Sequence, residues 1–251
     1  MNGRLIVLTD LDDTWFMSHR RLRDDEERTH LAAVDAEGKP LSYQSPPQHT
    51  LWDLITRAAD IVVPVTGRTS YAIERVTILP AGGYAVASHG ALVLQNGTVL
   101  PEWRERLAEQ QEQAIHNLQK AEQQLAELIN ELEPDVDVGL RVLYDLGVPV
   151  YLSIKCSQEL PSKLVQALHI VAQNHNLKLH ANSRNAALRP PYTCKAEASL
   201  FLLDRVLGRQ RNDTVITLGD SLSDLGFMTA GDMAVVPTDS QIWTHLKEAA
   251  Q

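Results

Sequence analysis

Three short apolar runs punctuate the chain: Leu5-Ile6-Val7-Leu8, Ile61-Val62-Val63-Pro64-Val65 and Thr214-Val215-Ile216-Thr217-Leu218. Each is too short for a helix. Such runs read as strands buried on both faces, the pattern of a parallel sheet covered by helices. Each run ends in small or acidic residues, Thr9-Asp10, Thr66-Gly67-Arg68 and Gly219-Asp220-Ser221. In an open α/β sheet, ligands bind just beyond the carboxyl ends of the strands, where those residues would stand.

Between these runs the pattern changes. Residues 15–50 are polar and charged, with Asp24-Asp25-Glu26-Glu27, until Pro46-Pro47 precedes a helix begun by Leu51-Trp52-Asp53-Leu54-Ile55. Residues 82–100 carry Gly82-Gly83, His89-Gly90 and Asn96-Gly97, and predict a short strand followed by a hairpin. From 101 to 133 the composition shifts to Glu, Gln, Ala and Leu. Leu107, Ala114, Leu118, Ala121, Leu125, Leu128 and Leu132 follow a three-and-four spacing, which predicts one long or two shorter amphipathic helices. A coiled-coil partner helix is one reading. Packing within its own domain is preferred, because Gln111 and the alanines thin the seam. Strands around Leu146-Gly147, a helix over 160–174 and a strand over 177–181 follow, and a short helix over 240–250 closes the chain. The strand-rich block between parallel-type segments reads as an insertion.

Composition narrows the picture. At 251 residues the chain accommodates one large domain, or a domain with an insertion, and a full core. With 23 Lys+Arg against 32 Asp+Glu its formal net charge is −9, the wrong sign for a general nucleic-acid binder. No apolar run approaches the roughly 18 residues of a membrane span, and the apolar segment before Thr9-Asp10 is too short for a signal peptide. Cys156 and Cys194 form no CxxC pair, and the nine histidines form no zinc-binding spacing. The expectation is a reduced, cytoplasmic protein without nucleic-acid or membrane partners; its oligomeric state is left open.

Chemistry concentrates at the strand ends. Asp10-Leu11-Asp12-Asp13-Thr14 sets two carboxylates two residues apart, on one side if the chain stays extended. Such a pair can divide nucleophile and general-acid roles, or simply accept backbone N–H bonds in a loop. Thr66-Gly67, opening a helix, suits phosphate oxygens. Lys195 begins an apolar helix, where it reads either as a solvated first-turn residue or as a cation facing developing phosphoryl charge. Asp220 and Asp224 add carboxylates, and an oxygen-only donor set suits Mg²⁺.

Together these elements resemble the haloacid dehalogenase-type phosphohydrolase superfamily: strand then DxDx[TV], strand then Ser/Thr, a Lys, and strand then GDxxxD. Here they are Asp10-Leu11-Asp12-Asp13-Thr14, Val65-Thr66, Lys195, and Gly219-Asp220-Ser221-Leu222-Ser223-Asp224, in that order. The gap between Thr66 and Lys195 is where the branch with a large α/β cap carries its insertion. Within that branch Asp10-Leu11-Asp12-Asp13-Thr14-Trp15 looks most like sucrose-phosphate phosphatases, and the layout is similar to Cof-type sugar phosphatases. Ser223 and His89 stand where those relatives usually carry Asn. The resemblance implies a Rossmann-like, doubly wound core over 1–98 and 187–251, with an inserted α+β cap over 99–186. It also implies a small phosphorylated metabolite as partner and Mg²⁺ as cofactor, held by Asp10, the Asp12 carbonyl, Asp220 and Asp224. Asp10 would be the nucleophile and Asp12 the general acid/base, with Thr66, Gly67 and Lys195 on the phosphate. Lys155, Asn182 and Arg184 are the candidates within the cap to read the leaving group.

Three other functions fit parts of the sequence. Gly219-Asp220-Ser221-Leu222 spells the GDSL-type serine esterase signature, yet it lies near the C-terminus and the one later histidine, His245, lacks the expected partner Asp. A phosphosugar mutase would share the aspartyl-phosphate chemistry. A non-catalytic phosphosugar-binding protein would not need the Asp10/Asp12 pair.

Overall fold

In the computed structural model, which describes residues 3–18, 22, 28–80, 82–133, 135–181 and 183–250, the three apolar runs are neighbouring parallel strands. Leu5–Thr9 lies in the centre, with Ile6, Val7 and Leu8 fully buried, as continuous apolar sequence requires of a strand covered on both faces. Thr214–Leu218 pairs on one side and Ile61–Pro64 on the other; Met233–Val235 completes the sheet beyond Thr214–Leu218. Register is the decisive feature. Thr9 is level with both Leu218 and Pro64, so all three strands stop together. Asp10, Thr66 and Asp220 therefore leave the same edge of the sheet. At the opposite edge, Arg4 Nη2 pairs with Asp213 Oδ2 (2.5 Å), and the Arg4 N–H donates to Asp213 Oδ1 (2.9 Å).

The chain divides into two compact units, Met1–Leu100 with Cys194–Gln251, and Pro101–Thr193. This division lies at 100/101 and 193/194, not at 98/99 and 186/187. Strand Asn185–Arg189 pairs with both Val148–Cys156 and Lys178–Ala181, so it cannot be separated from their sheet.

In the first unit, helix Pro46–Ala58 starts with proline in its first turn and a full capping box, Ser45 with Gln48. Its Trp52 meets Trp15 edge-on, 4.8 Å between ring centres, over a core that includes Val7, Leu11, Phe16 and Leu218. The polar stretch 15–50 holds three strands that its composition did not announce. Met17–Ser18, Pro40–Gln44 and His30–Val34 form a small antiparallel sheet whose ladder shifts register twice. Strand Tyr84–Ala87 pairs with Leu92–Gln95, which turns at Asn96-Gly97 into Thr98–Val99. Both turn residues have positive φ, as an Asn-Gly hairpin favours.

The second unit is a four-stranded antiparallel sheet with helices Pro101–Leu132 and Ser162–Asn174 packed on it. The long helix is a single element. Its Leu118, Ala121, Leu125 and Ile129 join Leu152, Ile154, Leu164, Leu168 and Leu188 in one core. The apolar seam thus packs within its own unit, and the coiled-coil reading has no role. Toward the C-terminus Ile129 takes the buried position, while Leu128 is only partly buried. A 3.6-residue helix drifts away from any strict seven-residue repeat. Leu152 and Ile154 point into this core, so Tyr151, Ser153 and Lys155 stand on the opposite face of the sheet.

Leu125→Ala should lower the unfolding free energy by about 2–5 kcal/mol, because it opens a cavity in the core of the second unit. Leu54→Ala, at an exposed position of helix Pro46–Ala58, should stay within about 0.5 kcal/mol of the parent in urea denaturation.

Candidate active site

The site is built where the parallel strands end. The Asp10 N–H still donates to Leu218 O (2.9 Å), so Asp10 is fixed by the sheet although it lies one residue past its strand. The extended run does not continue through Asp12. Asp13 has φ 61°, its N–H donates to Phe16 O, and the Trp15 N–H donates to Leu11 O, folding residues 11–16 into a tight loop. Trp15 locks that loop from below. Its indole Nε1 donates to Thr9 Oγ1 (2.5 Å), and the ring is fully buried. Trp15 is therefore a support for the loop and cannot read a substrate. Gln48, the capping residue, donates from Nε2 to Thr14 O (3.1 Å) and ties the loop to its helix.

Lys195 joins the pieces. Its Nζ donates to Asp10 Oδ1 (2.7 Å) and to Asp224 Oδ1 (2.6 Å), with 9% of its side chain exposed. The solvated-residue reading of this lysine is thereby overturned. Asp224 is in turn held by Ser221, whose N–H (3.1 Å) and hydroxyl (2.7 Å) both donate to Oδ2. Asp10, Asp220 and Asp224 each bring a carboxylate oxygen into one group, all within 4.8 Å of one another. Thr14 Oγ1 donates to Asp220 Oδ1 (3.4 Å). Thr66, buried at the end of its strand, accepts the Arg68 N–H on its hydroxyl (3.1 Å).

Two glycines let this assembly close. The His89 imidazole lies directly over Gly67, where any Cβ would collide with the ring. Gly90, at φ 98°, presses against the carbonyl of Cys194, so a side chain there would displace the start of the helix that carries Lys195. In the sequence His89-Gly90 reads as a turn, with His89 departing from the family's usual Asn. The structure makes them the contact between the Thr66 loop and the Lys195 helix.

Electrostatics follow from burial. Burial pushes the Asp10 carboxyl up to about 8; Lys195 opposes this, while Asp224 and Asp12 reinforce it. Burial and neighbouring Asp224 and Asp13 push Asp220 up to about 6. Burial alone would lower the Lys195 ammonium, but Asp10 and Asp224 outweigh it and hold it above the usual lysine range. Three carboxylates around one ammonium leave the cluster short of positive charge. A hard divalent cation would supply it. The oxygen-only donor set fits Mg²⁺, with Asp10, Asp220 and Asp224 as the carboxylate ligands. The Asp12 carboxylate is not in that group; it is held by Arg68.

The remaining expected residues are dispersed. Lys155 and Arg184 are exposed positions of the second unit, near one end of its sheet, where Cys156 N–H donates to Arg184 O (3.0 Å). Asn182 lies outside the described residues. Ser221, the nucleophile of the esterase reading, spends its hydroxyl on Asp224 and lies 2.8 Å from Ser223 Oγ. No histidine partners Ser221 among the described residues, so that reading lacks its base.

No family model matches the sequence, and no curated protein does. The structure is similar to the sucrose-phosphatase of Synechocystis sp. PCC6803 solved with sucrose and phosphate, at 15% identity over 99% of this chain and 97% of that one, TM-score 0.56. It is also similar to a trehalose-6-phosphate phosphatase related protein, at 17% identity over 98% of each chain, TM-score 0.52. The fold is that of the haloacid dehalogenase-type phosphatases. The C-terminal domain of the C. albicans trehalose-6-phosphate phosphatase shares it, at 16% identity over 91% of this chain and 74% of that one, TM-score 0.53. The parallel sheet carries the aspartates at its strand ends, and the antiparallel unit is inserted between the two segments of the first unit.

Both raised carboxylates make ionisation costly to the folded, cation-free chain. For Asp220 that penalty is absent below the ordinary carboxylate range and grows as pH rises toward about 6. Asp220→Asn should therefore raise the melting temperature near pH 8 and leave it unchanged near pH 3, below the ordinary Asp value of about 3.9. Added Mg²⁺ should raise the melting temperature of the parent and do so less for Asp10→Asn, by calorimetry at neutral pH.

Proposed function

We propose that this protein is a Mg²⁺-dependent phosphomonoester hydrolase that works through an aspartyl-phosphate on Asp10, with a sugar phosphate as substrate. The observation that carries the reading is the buried Asp10–Lys195–Asp224 contact at the ends of the parallel strands. Asp10 Oδ attacks phosphorus, and the bond from phosphorus to the leaving oxygen breaks. Asp12 gives its proton to that oxygen, then takes one from the water that cleaves the aspartyl-phosphate. Thr66 and the third N–H of Lys195 hold the equatorial oxygens, where charge is spread during transfer. Bound at Asp10, Asp220 and Asp224, with the Asp12 carbonyl, Mg²⁺ would supply charge that keeps Asp10 ionised and neutralises the phosphate.

The sugar assignment is supported by solved structures with this fold that are named a sucrose-phosphatase and a trehalose-6-phosphate phosphatase. Trp15 takes no direct part in it, since the ring is buried beneath the loop. In the second unit the sheet face away from the helices carries Arg141, Tyr151, Ser153 and Lys155, polar groups suited to sugar hydroxyls. Lys155, Asn182 and Arg184 are retained as candidates for leaving-group recognition.

Purified protein should hydrolyse p-nitrophenyl phosphate, lose the activity in EDTA and regain it with Mg²⁺. Asp10→Asn should remove turnover while leaving the circular dichroism spectrum unchanged. Activity that resists EDTA and is blocked by a serine-directed phosphonate would move the chemistry to Ser221. In a screen of phosphorylated metabolites, sugar phosphates should lead; a preference for nucleotides or acyl phosphates would refute the substrate class. Isomerisation of a sugar monophosphate that depends on a sugar bisphosphate would identify a mutase instead.

A further inference from the structure

Arg68 follows the proposed phosphate-binding Thr66-Gly67. Its guanidinium meets Asp12 side-on: Nε donates to Oδ2 and Nη2 to Oδ1, each at 2.7 Å. The two partners are unequal. The Arg68 side chain is 14% exposed and that of Asp12 51%. Arg68 is also held from other directions. Its guanidinium lies 5.0 Å from the centre of the buried Phe16 ring, its Nη1 reaches Ala72 O (3.5 Å), and its own N–H donates to Thr66 Oγ1. The arginine is thus the fixed wall and the carboxylate the open end.

We propose that Arg68 is a positioning residue: it fixes the Asp12 carboxylate in the orientation in which Asp12 exchanges protons with leaving oxygen and water. The proposal rests on the functional reading above. Asp12 sits on a tight loop with half its side chain in solvent, and an unheld carboxylate there would sample several rotamers. A bidentate guanidinium removes that freedom, yet each carboxylate oxygen keeps a lone pair for substrate or water. A proton donor must be held to about 0.5 Å to work at full rate. A pair whose carboxylate is half in water contributes modestly to stability, so a stability role alone would not separate the two half-reactions. Lysine could not replace the arginine, since it offers a point charge and no planar fork.

The test uses first-turnover and steady-state kinetics on p-nitrophenyl phosphate. Nitrophenolate leaves without being protonated, so the first turnover does not need Asp12 as an acid, whereas hydrolysis of the aspartyl-phosphate needs it as a base. Arg68→Ala should release about one equivalent of nitrophenolate per chain at the parent's rate. Its steady-state kcat should then fall about 100-fold or more, the size of a general-base contribution. KM should not rise, Arg68→Lys, which keeps much of the side-chain packing, should recover only part of kcat, and added guanidinium should restore the alanine variant. The proposal is overturned if first turnover and steady state slow together, or if KM rises with kcat unchanged, which would make Arg68 a substrate ligand. It is equally overturned if Arg68→Ala turns over like the parent. A parent protein without phosphatase activity would instead refute the functional reading on which the proposal stands.

Discussion

A buried ammonium held between two carboxylates is the constraint on which the catalytic unit depends. Lys195 is far from Asp10 in sequence, and neither charge could be left alone at that depth. Removing one partner of a buried ion pair typically costs about 3–5 kcal/mol, because the remaining charge is stranded. The cluster therefore constrains where helix Lys195–Phe201, the first after the insertion, starts and how closely the Thr66 and His89 loops approach it. Gly90 against Cys194 and Gly67 beneath His89 are consequences of that close approach. The same cluster carries more negative than positive charge, so the arrangement is held for chemistry at some cost to the cation-free fold.

Around this centre each proposed function has its own mechanical support. Asp10 is set by the sheet through Leu218, Asp224 by Ser221, and the Asp12 loop by Gln48 and Trp15. Arg68 ties the Thr66 loop to Asp12. The supports come from polar residues that are unremarkable one at a time, and they hold the segments that carry Asp10, Asp12, Thr66 and Asp224. Pre-organisation of this kind lets a site present charge without rearranging during the reaction.

How far this was legible in the sequence varied with the physics involved. Continuous apolar runs announce buried parallel strands, and acidic or small residues after them mark the functional edge, because both signals are local. The seam of helix Pro101–Leu132 was likewise readable, apart from its last turn, where Ile129 replaces the expected leucines. Long-range choices were not. Nothing local says whether Lys195 is solvated or buried, or that the Asp12 carboxylate meets Arg68 and not a metal-binding cluster. The strands within 15–50 escaped notice because they form a small, bulged sheet with little apolar alternation. The domain boundary erred for a related reason: pairing of Asn185–Arg189 with its neighbours is a tertiary fact. Two local signals were available and unused, the Ser45-x-x-Gln48 capping box and the arginine beside Thr66-Gly67.

The central claim is that Asp10 becomes covalently phosphorylated. It is tested most directly by acid-quenching the protein during turnover of ³²P-labelled sugar phosphate and mapping the label to a peptide. The account predicts acid-stable label on the peptide containing Asp10 and none in Asp10→Asn, with turnover strongly slowed in Asp12→Ala, which lacks both the acid and the base. Label on the peptide containing Ser221, or steady turnover of the parent with no label on the protein at any quench time, would contradict it.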